Sequence, residues 1–202
     1  MKWRKIMEHK SFLFDTKGFE LELCEIVIAS GEKDEPRLLI QYNMNNIGKI
    51  RSPYTGEFLD DVWEDELEQG NVQELADLAL TKFYSPEEEL GLSYSWDSLL
   101  EALKQFPTPF HPEYCVLGYP VESEKFRLDP GGMGTGIVRT EDVPIIFRNL
   151  IELRNQFINS EFSEMDDSLY EYTFPELIEA YDELTQLYKE ANDNKKGLLM
   201  TF

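Results

Sequence analysis

The chain has 202 residues, with 40 Asp and Glu against 19 Lys and Arg, a net charge of −21. Its 42% hydrophobic and 13% aromatic content supports a buried core and excludes an acidic disordered tail. No apolar run reaches the roughly 18 residues of a membrane span, and Met1–Lys10 carries basic residues without an apolar stretch after them, so a soluble cytoplasmic protein is expected.

In chain order, the first signals read as strand. Residues 11–29 alternate at Phe19-Glu20-Leu21-Glu22-Leu23 and turn continuously apolar at Ile26-Val27-Ile28. After a polar turn over Gly31–Pro36, Arg37-Leu38-Leu39-Ile40-Gln41-Tyr42 reads as an antiparallel partner. Asn43–Gly56 reads as a loop anchored by Ile47 and Ile50.

Helical signals follow. Asn71-Val72-Gln73-Glu74 resembles a capping box, ahead of Leu75, Leu78, Ala79 and Phe83 at helical spacing. Ser85-Pro86-Glu87-Glu88 offers a second helix start, and Ser95-Trp96-Asp97-Ser98 a third, leading to Leu99, Leu100, Leu103 and Phe106 before Pro107 and Pro109. Tyr114-Cys115-Val116-Leu117-Gly118 reads as a short strand and Asp129-Pro130-Gly131-Gly132 as a turn. Thr140-Glu141-Asp142 can open a helix striped by Val143, Ile146, Phe147, Leu150, Leu153 and Phe157. Thr173-Phe174-Pro175-Glu176 is a full capping box for a last helix through Leu177, Tyr181, Leu184 and Tyr188, ended by Gly197, with Leu198–Phe202 as a terminal strand.

This order predicts one α+β domain over 1–202. Residues 1–56 are its β-rich part, an N-terminal antiparallel sheet, and residues 57–202 its helix-rich part with a C-terminal strand.

The charge is uneven. Residues 57–90 hold twelve acids against Lys82, and 161–193 hold eleven against Lys189, so two stretches account for the whole excess. Such a surface repels nucleic acid and anionic lipid, and it attracts a basic protein through a field screened over about 8 Å at physiological salt. The plain alternative is that acidic helix faces keep the protein in solution. The leading expectation is a non-enzymatic binding protein of inhibitor or immunity type, whose segments 57–68 and 161–171 face a basic partner through Asp60, Asp61, Glu64, Asp65, Asp166 and Asp167.

Other chemistry is thinly coded. Gly131-Gly132-Met133-Gly134-Thr135-Gly136 invites a phosphate-loop reading, but no Lys follows and Ile137-Val138-Arg139 intervenes before the helix, so no nucleotide cofactor is expected. Arg139 either pairs with one of the many acids or holds an anion beside the glycines. His111-Pro112-Glu113-Tyr114-Cys115 has metal-ligating residue types but too few of them, and no metal is expected. Cys24 and Cys115 lie in apolar surroundings and read as reduced core thiols. The rival functional reading is a small hydrolase or anion-ligand-binding protein with a pocket formed by Trp96, Gly132, Gly134 and Arg139.

Across roughly residues 96–202 the sequence resembles the YfbM-like family. The resemblance rests on Trp96-Asp97 with Leu100, Val116-Leu117-Gly118, the Gly132–Gly136 loop with Arg139 and a helix from Thr140, Phe162 with Met165, and Leu184 and Tyr188 leading through Gly197 to Leu198-Leu199. It implies a bacterial cytoplasmic protein of α/β or α+β fold and supplies no catalytic residue.

Overall fold

The computed structural model describes residues 7–129, 134–160 and 172–202. Strand β1 (His9–Phe14) leads into three helices, α1 (Thr16–Glu22), α2 (Cys24–Lys33) and α3 (Arg37–Asn45). A short 3-10 turn at Trp63–Glu66 precedes α4 (Val72–Leu80), β2 (Leu90–Ser93), α5 (Trp96–Leu103) and α6 (Pro112–Leu117). Then come β3 (Tyr119–Pro120), β4 (Thr135–Val138), α7 (Val143–Ile158), α8 (Phe174–Asn194) and β5 (Gly197–Thr201).

The strands form one antiparallel sheet in the order β2-β1-β5-β4-β3. Successive residues of a strand face opposite ways, and both faces are covered by helices. On β5, Leu198 and Met200 join a core with α5–α8, while Leu199 joins the opposite core with α1–α4. Phe12 and Phe14 of β1 and Ile137 of β4 face α1–α4, and Val138 faces α5–α8. The fold is thus α+β, an antiparallel sheet between two helical layers with the expected C-terminal strand.

The N-terminal strands expected beyond β1 are helices. A strand would place Phe19, Leu21 and Leu23 on one face, yet Phe19 and Leu23 are buried and Leu21 is 86% exposed. Buried Phe19, Leu23 and Val27 recur every four residues, which is a helical face, and the Asp15 carboxylate opens α1 by accepting from the Gly18 amide. Arg37–Tyr42 is likewise helical, with Leu39, Tyr42 and Asn43 buried and Leu38 exposed. Among the described residues, 7–56 are therefore mostly helical rather than β-rich, with β1 as the strand they contribute. Ile50 is fully buried, with Ile47 packed against the same core, as loop anchors should be.

Ser85-Pro86-Glu87-Glu88 closes a turn, the Glu88 amide donating to Ser85 O at 3.1 Å, and the chain then enters β2 rather than a helix. Tyr114-Cys115-Val116-Leu117 is helical, with Pro112 in the first turn, and a short apolar run cannot by itself distinguish a strand from a buried helix. Of the other helix starts, Asn71 Oδ1 accepts from the Glu74 amide at 2.9 Å and Thr173 and Glu176 cap one another, while Ser95 and Asp142 stand at the starts of α5 and α7 without a side-chain cap hydrogen bond. Lys195, at φ 54°, rather than Gly197 ends α8, and Gly197 begins β5.

Candidate functional site

The end of the sheet at α6, β3 and β4 brings together several residues that the sequence singled out. Gly118 and Gly136 meet back to back there. A Cβ on Gly136 would stand 2.0 Å from Leu117 O, and one on Gly118, whose φ is +73°, would stand 2.5 Å from Gly136 C. Glycine at 136 thus serves a tight approach of β4 to the end of α6. Beyond this contact Tyr114 stacks on Tyr119, ring centroids 4.3 Å apart, and both rings are partly exposed.

A cavity lies on each side of this stack. One, of about 280 Å³, is lined by Met7, Trp96, Glu113, Tyr114, Leu117, Gly118, Pro120, Arg127, Gly134, Thr135 and Phe202. The other, of about 470 Å³, is lined by Phe19, Glu20, Cys24, Ile28, Tyr119, Pro120, Val121, Glu122, Ile137, Arg139 and Asp142. The single pocket expected from the sequence is therefore divided: Trp96 and Gly134 share one cavity, Arg139 lines its neighbour, and Gly132 lies outside the described residues. Arg139 is exposed and its Nε donates to Glu20 Oε1 at 2.8 Å, the ion pair weighed against anion binding.

The acidic surface has two described parts. Leu59 and Trp63 are buried and pin the segment that carries Asp60, Asp61, Glu64 and Asp65 outward. Asp60 Oδ1 accepts from the Val62 amide at 2.9 Å, and among the described residues none of these four carboxylates has an ion pair. Asp166 and Asp167, with the whole of 161–171, lie outside the described residues. The second part is the outer face of α8. Glu179, Asp182, Glu183, Gln186 and Glu190, with Leu187, form one wall of a groove of about 560 Å³ whose other side is Leu90-Gly91 of β2. Arg154 forks onto Asp182 with both contacts at 2.6 Å and neutralises it, leaving Glu179 and Glu183 without a cation among the described residues. Among the described residues β2 is an outer strand of the sheet, and an outer strand offers backbone N–H and C=O groups to an added chain.

Sequence reasoning missed the α8 face, although Glu179, Glu183 and Glu190 recur at helical spacing opposite the buried stripe. It missed Arg127 too, which sits in a two-strand bridge with Glu122 that no periodicity announces.

His9 is buried on β1. Its Nε2–H donates to Val116 O at 2.8 Å and its Nδ1 accepts from the Leu92 amide at 3.2 Å, an arrangement that fixes the neutral ring. Burial lowers its pKa to about 4. Asp77 on α4 is pushed the other way, to about 6, by burial and then by the Glu74 charge. Cys115 is fully buried and its thiol is pushed up to about 12, and burial raises the Cys24 thiol as well, so neither is a poised nucleophile. His111 lies edge-on to Tyr114, and among the described residues no three His, Cys, Asp or Glu side chains gather as a metal set. No helix among the described residues is long and apolar enough to cross a membrane.

Comparison with family models, with curated proteins and with solved structures yields no match.

Proposed function

We propose that the protein is a binding protein for a basic protein partner, and that the groove between α8 and the β2 edge receives an extended basic segment of it. The observation that carries this reading is the juxtaposition of Glu179 and Glu183, which have no cation among the described residues, with an outer strand of the sheet. An incoming strand can take backbone hydrogen bonds from β2 while its Lys and Arg side chains reach the α8 carboxylates. The exposed Asp60, Asp61, Glu64 and Asp65 add to the same long-range field and speed encounter. The resemblance to the YfbM-like family belongs with this reading as a second proposal, and with it a bacterial cytoplasmic setting.

The test is affinity capture from the native host at low and moderate salt, with wild type and with Glu179→Lys/Glu183→Lys. A basic protein captured by wild type, released by salt and lost with the double reversal supports the proposal. Capture that ignores both salt and charge reversal, or no capture at all, overturns it.

A further inference from the structure

The cavity beneath Trp96 has a chemistry that a basic protein partner does not use. Its apolar walls among the described residues are Met7, Trp96, Tyr114, Leu117 and Phe202, and the three aromatic rings are held by their neighbours. The Trp96 indole N–H donates to Met7 O at 2.9 Å, Phe202 meets the Trp96 ring edge-on at 4.9 Å, and Tyr114 is braced by its stack on Tyr119. Aromatic walls held in this way lose little freedom when a small molecule enters between them.

Among the described residues, the charged side chains that line this cavity are Glu113 and Arg127. Glu113 is balanced by Lys104, 3.2 Å away. Arg127 has no ion pair or side-chain hydrogen bond among the described residues, although acids outnumber bases 40 to 19 in this chain. A free guanidinium presents a planar fork that matches a carboxylate with two parallel hydrogen bonds. An apolar aromatic enclosure with one free guanidinium is complementary to a molecule with one apolar body and one carboxylate. At about 280 Å³ the enclosure lies at the small end of ligand pockets, which suits a single ring or a branched chain and not a nucleotide. A dianionic phosphate would call for a second cation, and among the described residues Arg127 is the one cation that lines this cavity.

We propose that this cavity binds a small aryl or branched aliphatic monocarboxylate, with Arg127 holding the carboxylate and Trp96, Tyr114 and Phe202 enclosing the apolar body. The proposal is independent of the basic-partner reading, which concerns the groove at α8.

Calorimetric titration of the full chain with phenylacetate, isovalerate and the neutral phenylacetamide tests it. At least one of the two acids is expected to bind wild type, with phenylacetate preferred over phenylacetamide by about tenfold or more, the worth of a charge-assisted pair. Arg127 is exposed, so Arg127→Gln keeps the fold, which circular dichroism checks; it should abolish the preference for acid over amide. Arg139→Gln, on the neighbouring cavity, should leave that preference intact. Binding of neither acid to wild type, or an undiminished preference in Arg127→Gln, overturns the proposal.

Discussion

On the α5–α8 face of the sheet, the buried Tyr181 and Tyr188 hydroxyls donate to Leu150 O at 2.6 Å and to Cys115 O at 2.7 Å, and His9 uses both ring nitrogens. On the α1–α4 face, the Ser30 hydroxyl and the Asn43 side-chain oxygen are buried with no partner among the described residues. The Thr135 hydroxyl is also unpartnered, and it shares the face of Ile137, two residues along β4, which packs toward α1–α4. An unpaired buried polar atom costs about 1–3 kcal/mol, whereas a paired one contributes modestly. The two layers therefore differ in how closely side-chain chemistry fixes their packing. Removing one of these unpartnered oxygens should have the opposite sign to removing one of the bonded hydroxyls.

The largest effect is expected at the contact between β4 and α6. Gly136→Ala forces a methyl carbon against Leu117 O and the Gly118 backbone, and should destabilise by about 3 kcal/mol or more in chemical denaturation, because backbone rather than a flexible side chain must move. Acid should act almost as strongly through His9. Above pH 6.5 the imidazole is neutral in both folded and unfolded chains and contributes nothing to the pH dependence. Between pH 6.5 and about 4 the unfolded chain takes up a proton that the folded site refuses, so stability falls by about 3 kcal/mol across that window. His9→Gln should flatten that part of the profile. Asp77 has the opposite sign: its folded carboxyl holds its proton up to about pH 6, so Asp77→Asn should stabilise the protein at pH 7.

Hydroxyl deletions read the contrast directly. Tyr181→Phe should cost about 1–2 kcal/mol by removing its buried bond to Leu150 O, while Thr135→Val should leave stability unchanged or raise it by about 1 kcal/mol. Loss of stability in Thr135→Val equal to that in Tyr181→Phe would erase the distinction between the faces. The smallest effect belongs to Arg139→Ala, below about 1 kcal/mol, because its pair with Glu20 is exposed.

The two layers also differ in legibility. The long helices α7 and α8 announce themselves through a Pro in the first turn, a full capping box and apolar stripes long enough to fix the period. The α1–α3 segments are short, and their apolar residues include outward-facing Leu21 and Leu38, so a few positions of chance alternation imitate a strand. At the candidate site, the glycines pointed to a close approach and Arg139 to an acid, but its partner Glu20 is 119 residues away in sequence. Nothing local encodes that pairing, nor the meeting of Trp96 with Arg127 around one cavity, because both depend on how the finished sheet brings distant segments together.

Among the elements described, β5 is the last in sequence and the middle one in space, hydrogen-bonded to β1 on one side and β4 on the other. A growing chain cannot close this sheet until Gly197–Thr201 has left the ribosome. Until then Phe12, Phe14, Ile137 and Val138 lack the strand that joins them, and the helices have only half a surface to pack on. The register joins Phe14 to Gly197, residues far apart in sequence, and pairings of this kind slow folding because their loop entropy is met before the contact offsets it. Of the five described strands, synthesis thus delivers the central one after the four that it holds together.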